Sequence, residues 1–159
     1  MSMICYMFDF PDAQLDQLLA SPETIDSLIE EESEFATCFD KAWHFLHFLL
    51  NGEPWSGREP VSYLVCGGQN VGEIDVGYGP ARVVKSEQVA AFHDAVEQVS
   101  EEQLRQGFYS DKFQTADLYP SLGDNLEKEF DYLIFYFNRL KEFLADAKRN
   151  GVGMVVYLS

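Results

Sequence analysis

Basic residues are scarce in this chain: 11 Lys and Arg stand against 27 Asp and Glu, giving a formal charge of -16 and a pI of about 4.3. A surface of that sign repels phosphate backbones, so direct nucleic-acid binding is excluded as a partner class. Cysteines are few as well. Cys5, Cys38 and Cys66 are odd in number and far apart, with no C-x-x-C pair and no histidine at zinc-finger spacing, which fits free thiols in a reducing compartment. Long apolar runs are missing too. The richest stretch, Tyr132 to Leu144, is broken by Asn138, Arg139, Lys141 and Glu142, so no segment reads as a membrane span. The N-terminal segment has no positive region and reaches Asp9 and Pro11 too early for a signal peptide, and the expected location is cytoplasmic. Neither G-x-x-x-x-G-K-[ST] nor G-x-G-x-x-G occurs, and the acidic stretches lack the alternation and turn glycine of a calcium loop. No cofactor is therefore expected.

What the chain does contain is core-forming material. Of its 159 residues 47% are hydrophobic and 14% aromatic, which suffices for one core and predicts a single domain over residues 1–159. Met3 to Phe8 and Val152 to Leu158 are apolar on both faces, the pattern of strands covered on both sides. Each needs ladder partners, so both ends of the chain are expected in one sheet.

Between Pro11 and Glu32 the sequence predicts two short helices, one carrying Leu15, Leu18 and Leu19, the other opening at Ser21-Pro22 and presenting Ile25, Leu28 and Ile29. Asp40 is placed to cap a third helix, Lys41 to Leu50, which Asn51-Gly52 ends. That helix is apolar almost all round and belongs at the centre of the fold. Residues 52–60 read as loop, and Val61 to Cys66 fits either a helical turn or a strand. A Gly77-Tyr-Gly-Pro turn leads into Ala81-Arg-Val-Val. Ser86 then caps a helix with Val89, Phe92, Val96 and Val99 on one stripe, and Ser100-Glu-Glu-Gln is a capping box with Val99 and Leu104 as its staple. The longest helix starts at an Asp124/Glu127 acidic signature, carries Leu126, Phe130, Leu133, Phe137, Leu140 and Leu144, and stops at Asn150-Gly151. The sum is an α+β domain with several helices on a small mixed or antiparallel sheet.

Three segments carry a resemblance. The run Asp40-Lys-Ala-Trp-His-Phe-Leu-His-Phe-Leu-Leu-Asn-Gly52, the turn Gly77 to Arg82 before a Ser-capped helix, and the ending from Phe130 to Leu158 resemble the YfbM-like family of small bacterial proteins. The likeness includes the Met-x-Met-Ile start at Met1 to Ile4, and its most specific element is Trp43, Leu46 and His47. It implies a compact α+β domain in a bacterial cytosol. It implies no reaction, since the family is known as a domain of unknown function, and no catalytic residue is carried over.

Two candidate sites follow from the residues. Trp43 and His47 project from one side of their helix, and with Tyr78 and Arg82 from the Gly-Pro turn they would form an aromatic pocket with an anion-binding fork. Against this stands a buried His47 satisfied by a backbone carbonyl, with Trp43 as core and Arg82 paired to Glu73 or Asp75. The second candidate is the acidic run Glu30, Glu31, Glu32 and Glu34, either a solvated helix end or a contact for a basic partner. Asp40, pairing with His44 four residues on, is read as a helix-end interaction. Asp40, His44 and His47 do not share a helix face and make a poor metal set, and Cys66 before Gly67-Gly68 lacks an assignable base. The expected function is a non-catalytic binding module, for a basic protein as an inhibitor or immunity-type protein would have. The alternative is a small-ligand site or enzyme at Trp43, His47, Tyr78 and Arg82.

Overall fold

The computed structural model describes residues 2–159, so Met1 of the Met-x-Met-Ile start lies outside the described residues. Five strands, β1 (Cys5–Phe10), β2 (Thr37–Cys38), β3 (Gln69–Asp75), β4 (Pro80–Val84) and β5 (Gly153–Leu158), form one sheet in the order β2-β1-β5-β4-β3. Every neighbouring pair is antiparallel. The two apolar end segments pair directly, from Cys5 with Leu158 to Phe10 with Gly153. Ile4 and Ser159 extend the ladder by exchanging backbone hydrogen bonds of 2.9 Å each.

Around the sheet lie α1 (Asp12–Ala20), α2 (Ile25–Glu32), α3 (Trp43–Asn51), α4 (Ser86–Glu97), α5 (Glu101–Phe108), the four-residue α6 (Asp111–Gln114) and α7 (Leu126–Asn150). Period-2 alternation divides the strand side chains between two cores. Cys5, Met7, Val84, Met154 and Val156 face the larger one, built with α3, α4, α5 and α7. Phe8, Val83, Val155 and Tyr157 face the smaller one, where Leu15 and Leu18 of α1 and Ile25 of α2 cover them. This explains why the end strands are apolar throughout: helices cover both faces. Gly153 is the tight point between layers, because a Cβ there would lie 2.4 Å from the Val84 carbonyl and 2.6 Å from Leu15 Cδ1.

Helix ends show where local signals yield to tertiary partners. Ser100 and Asn125 cap α5 and α7 by accepting from Gln103 N and Lys128 N, the latter one residue beyond the expected Asp124. Gly151, in the left-handed region at φ 65°, closes α7. Asp40 does not cap α3. Its carboxylate accepts the Tyr132 hydroxyl from α7 at 2.8 Å, while that oxygen accepts the Lys41 N–H at 3.1 Å. Helix α3 begins at Trp43 without a side-chain cap. Ser86 is likewise the first residue of α4 rather than its cap, and its N–H donates to Asp12 Oδ1 of α1 at 2.9 Å. Residues 61–66 resolve into turns, with Cys66 N donating to the Ser62 carbonyl at 2.8 Å.

Candidate functional site

Helix α3 is enclosed: Trp43, His44, Phe45, Leu46 and His47 all have 0% exposure. Burial of two imidazoles demands hydrogen-bond partners, and the loop after the helix supplies one carbonyl acceptor to each. His44 Nε2 donates to the Pro54 carbonyl at 2.7 Å, and its Nδ1 accepts the Tyr119 N–H at 2.9 Å. His47 Nε2 donates to the Ser56 carbonyl at 2.9 Å, with Nδ1 facing Asn51 Nδ2 at 3.2 Å. These partners select the neutral Nε2-H tautomer of both rings. Burial lowers both pKa values, against the opposing pull of the two carbonyls. Trp43 donates its indole N–H to the Met3 carbonyl at 3.0 Å and stacks on His44 at 4.8 Å between centroids. His44 therefore does not pair with Asp40.

Arg82 and Tyr78 lie elsewhere. Arg82 projects from β4 beneath the 62–67 turn, where Nη2 donates to the Tyr63 carbonyl at 2.7 Å and Nη1 to the Gly67 carbonyl at 3.1 Å. Its register partners are Val156 on β5 and Asn70 on β3. The expected pairing with Glu73 or Asp75 is not made. Asp75 instead accepts the N–H groups of Gly77 and Gly79 at 2.8 and 3.0 Å, holding the hairpin that carries Tyr78, and Glu73 is exposed. Among the described residues no carboxylate lies within ion-pair distance of Arg82. Burial lowers its pKa, opposed by the nearby Cys5 and Cys66 thiols. The guanidinium stays charged, as arginine does in proteins.

Beside this cation is a cavity of about 270 Å³ whose walls include Arg82, Cys66, Asn70, Tyr78, Tyr157 and Leu158. Tyr78 is 39% exposed, so its ring sits at the rim. Thus two of the four expected pocket residues converge, while Trp43 and His47 contribute to the core and its loop. Asn70 and Tyr157 escaped the sequence reading because they reach the cavity only through strand pairing. Cys66 was visible as a thiol before a Gly-Gly break, but nothing in the sequence joined it to Arg82.

The acidic run falls at the end of α2, with Glu30, Glu31 and Glu34 exposed and Glu32 half-buried. A wider groove of about 710 Å³ borders the C-terminal half of α7 and carries both signs of charge, among them Asp9, Asp146, Arg139 and Arg149. Arg139 there is engaged, donating to the Cys38 carbonyl at 3.0 Å. Among the described residues no three His, Cys, Asp or Glu side chains gather as a metal site, and no helix is long and apolar enough to cross a membrane.

Comparison with known proteins gives these features a family. The pattern of the family described as Domain of unknown function (DUF1877) matches residues 1–157, and the chain belongs to that family. It is 28% identical to Protein YfbM of Escherichia coli (strain K12) over 137 residues, covering 81% of this chain and 80% of the relative. A crystal structure of YfbM from Escherichia coli, described as a protein of unknown function, superposes with a TM-score of 0.75 at 23% identity, covering 99% of this chain and all of the other. That likeness shows the shared α+β fold.

Proposed function

We propose that this chain is one small-ligand-binding domain of the bacterial cytosol, and that its site is the Arg82 cavity, which takes an anion. The observation that carries this reading is a half-buried guanidinium with two carbonyl partners, no carboxylate within ion-pair distance, and an open cavity at its side. Carbonyl dipoles satisfy donors but leave the net charge uncompensated, and an anion in the cavity would restore the balance. The wall offers one cation, an amide, a thiol and apolar area, a set suited to holding a small anion.

A thermal-shift series with chloride, sulfate, phosphate and acetate salts, at matched ionic strength, tests it. An anion at a hundred times its dissociation constant adds about 2.7 kcal/mol of stability, a shift of several degrees. The shift should vanish in Arg82→Gln. Equal responses of the two proteins to every salt would remove the anion site.

A second reading, an acidic docking face for a basic protein of the kind met by inhibitor or immunity proteins, draws support from the exposure of Glu30, Glu31 and Glu34. Binding through that face weakens steeply with salt. Association insensitive to salt would count against it.

A further inference from the structure

Resting on the anion reading of the Arg82 cavity, we infer that its ligand class is the small monocarboxylate, an acid with a single charge and a compact apolar or aromatic body, rather than phosphate. Four observations converge on this.

The first is charge. Arg82 is the one cationic side chain in the cavity wall, and no acidic side chain lines it. One guanidinium neutralises one negative charge. A phosphate group at neutral pH carries about 1.5 to 2, and the surplus would sit inside a protein of formal charge -16.

The second is the state of the backbone donors. Phosphate sites are commonly nests of free N–H groups at glycine-rich turns or helix starts. Here the glycine-rich hairpin spends its donors internally: Gly77 and Gly79 donate to Asp75, and Tyr78 N donates to the Leu158 carbonyl at 3.1 Å. Just before β3, Gly68 N donates to Glu59 Oε1 at 3.0 Å. With the hairpin donors spent, the one charged donor in the wall is the guanidinium, beside the neutral Asn70 amide and Tyr78 hydroxyl.

The third is geometry. An arginine has five N–H donors, and the carbonyls of Tyr63 and Gly67 take one from each terminal nitrogen. The donors that remain belong to a planar group, which matches the two coplanar oxygens of a carboxylate.

The fourth is the rest of the wall. Tyr78 and Pro80 at the rim, with Val65 and Leu158, offer apolar area for a hydrocarbon body. A cavity of about 270 Å³ lies just below the usual ~300–1,000 Å³ of ligand pockets, so the body is small.

The test uses the full chain and three probes: benzoate, its neutral counterpart benzamide, and inorganic phosphate, each titrated calorimetrically at low ionic strength. Benzoate should bind, with benzamide and phosphate each weaker by roughly tenfold or more. Benzoate binding should be lost in Arg82→Gln. Because that variant also frees two carbonyls and could unfold, a readout on the unmodified protein accompanies it. Alkylation of Cys66 by iodoacetamide, followed by peptide mass spectrometry, should slow in saturating benzoate while alkylation of Cys38 does not.

Phosphate binding as tightly as benzoate, with Cys66 protected, would overturn the carboxylate class and leave the anion site standing. Benzamide binding as tightly as benzoate would show that the carboxylate is not recognised. Failure of both anions to bind or to protect Cys66 would overturn this inference, and the anion reading falls with it if the chloride, sulfate and acetate series is equally without effect.

Discussion

His44 and His47 grip two points of one loop, His44 through the Pro54 carbonyl at 2.7 Å and His47 through the Ser56 carbonyl at 2.9 Å. Both rings have a donor aimed at Nδ1, from Tyr119 N–H and from the Asn51 amide. Protonating either ring would put a second N–H against a donor.

Stability should therefore fall as pH drops below about 6.5, where histidines of the unfolded chain take up protons and these two resist. Their folded pKa values are lowered, so the unfolded state binds more protons in this window and gains on acidification. The slope is at most about 1.4 kcal/mol per pH unit for each proton involved. Urea unfolding between pH 7.5 and 5 should show the decline in the native protein, and a flatter dependence in a His44→Gln, His47→Gln double variant. An unchanged slope would detach the two rings from the effect.

Gly57 should tolerate no side chain. A Cβ there would lie 2.4 Å from Asn51 Oδ1 and 3.0 Å from His47 Cε1. Asn51 cannot yield without loss, since it donates to the Val61 carbonyl at 2.9 Å and accepts from Arg58 N at 3.1 Å. Gly57→Ala is expected to cost about 1–3 kcal/mol in chemical denaturation. Gly79→Ala tests a different cost, because nothing stands within 4 Å of its Cβ position but φ is +98°.

Asp40 combines a left-handed backbone, φ 47°, with the acceptor for Tyr132. Asn tolerates that conformation and keeps an acceptor, so Asp40→Asn should be nearly silent. Asp40→Ala should lose about 1–3 kcal/mol, as the half-buried Tyr132 hydroxyl loses its acceptor. Equal effects of the two substitutions would show that charge, not the hydrogen bond, matters.

Cys5 is enclosed in the larger core, and burial pushes its thiol up to about 12. In native buffer its peptide should remain unmodified by a thiol reagent that labels it fully in urea. Rapid native labelling would mean that the β1–β5 centre of the sheet opens readily.

Periodicity along single elements was the most legible part of the fold. The stripe from Leu126 to Leu144 and the box at Ser100 are local signals, and both elements form where those signals lie. The double-sided apolar ends placed β1 and β5 in one sheet, as their pairing shows. Signals failed where a distant group competes. Asp40 has the chemistry of a cap, yet Tyr132, ninety-two positions away, takes its carboxylate. Arg82 had many acids to choose from in sequence, but β4 aims it at a turn whose carbonyls arrive first. The site was half visible for the same reason. Tyr78 and Arg82 share a hairpin, whereas Trp43 and His47 share a helix that the fold places in its interior.

The strand order β2-β1-β5-β4-β3 sets a condition on how the chain acquires its structure. Strand β5 lies between β1 and β4, although nearly the whole chain separates it from β1. While residues 153–158 are still inside a ribosome, β1 with β2 and the β3–β4 hairpin have no common ladder. Closing that long loop is slow relative to local helix formation, because non-local pairing pays its entropy first. Helices such as α7 can form early, but the sheet locks only when its last-made strand enters the middle. Loss of β5 would then divide the sheet rather than trim an edge.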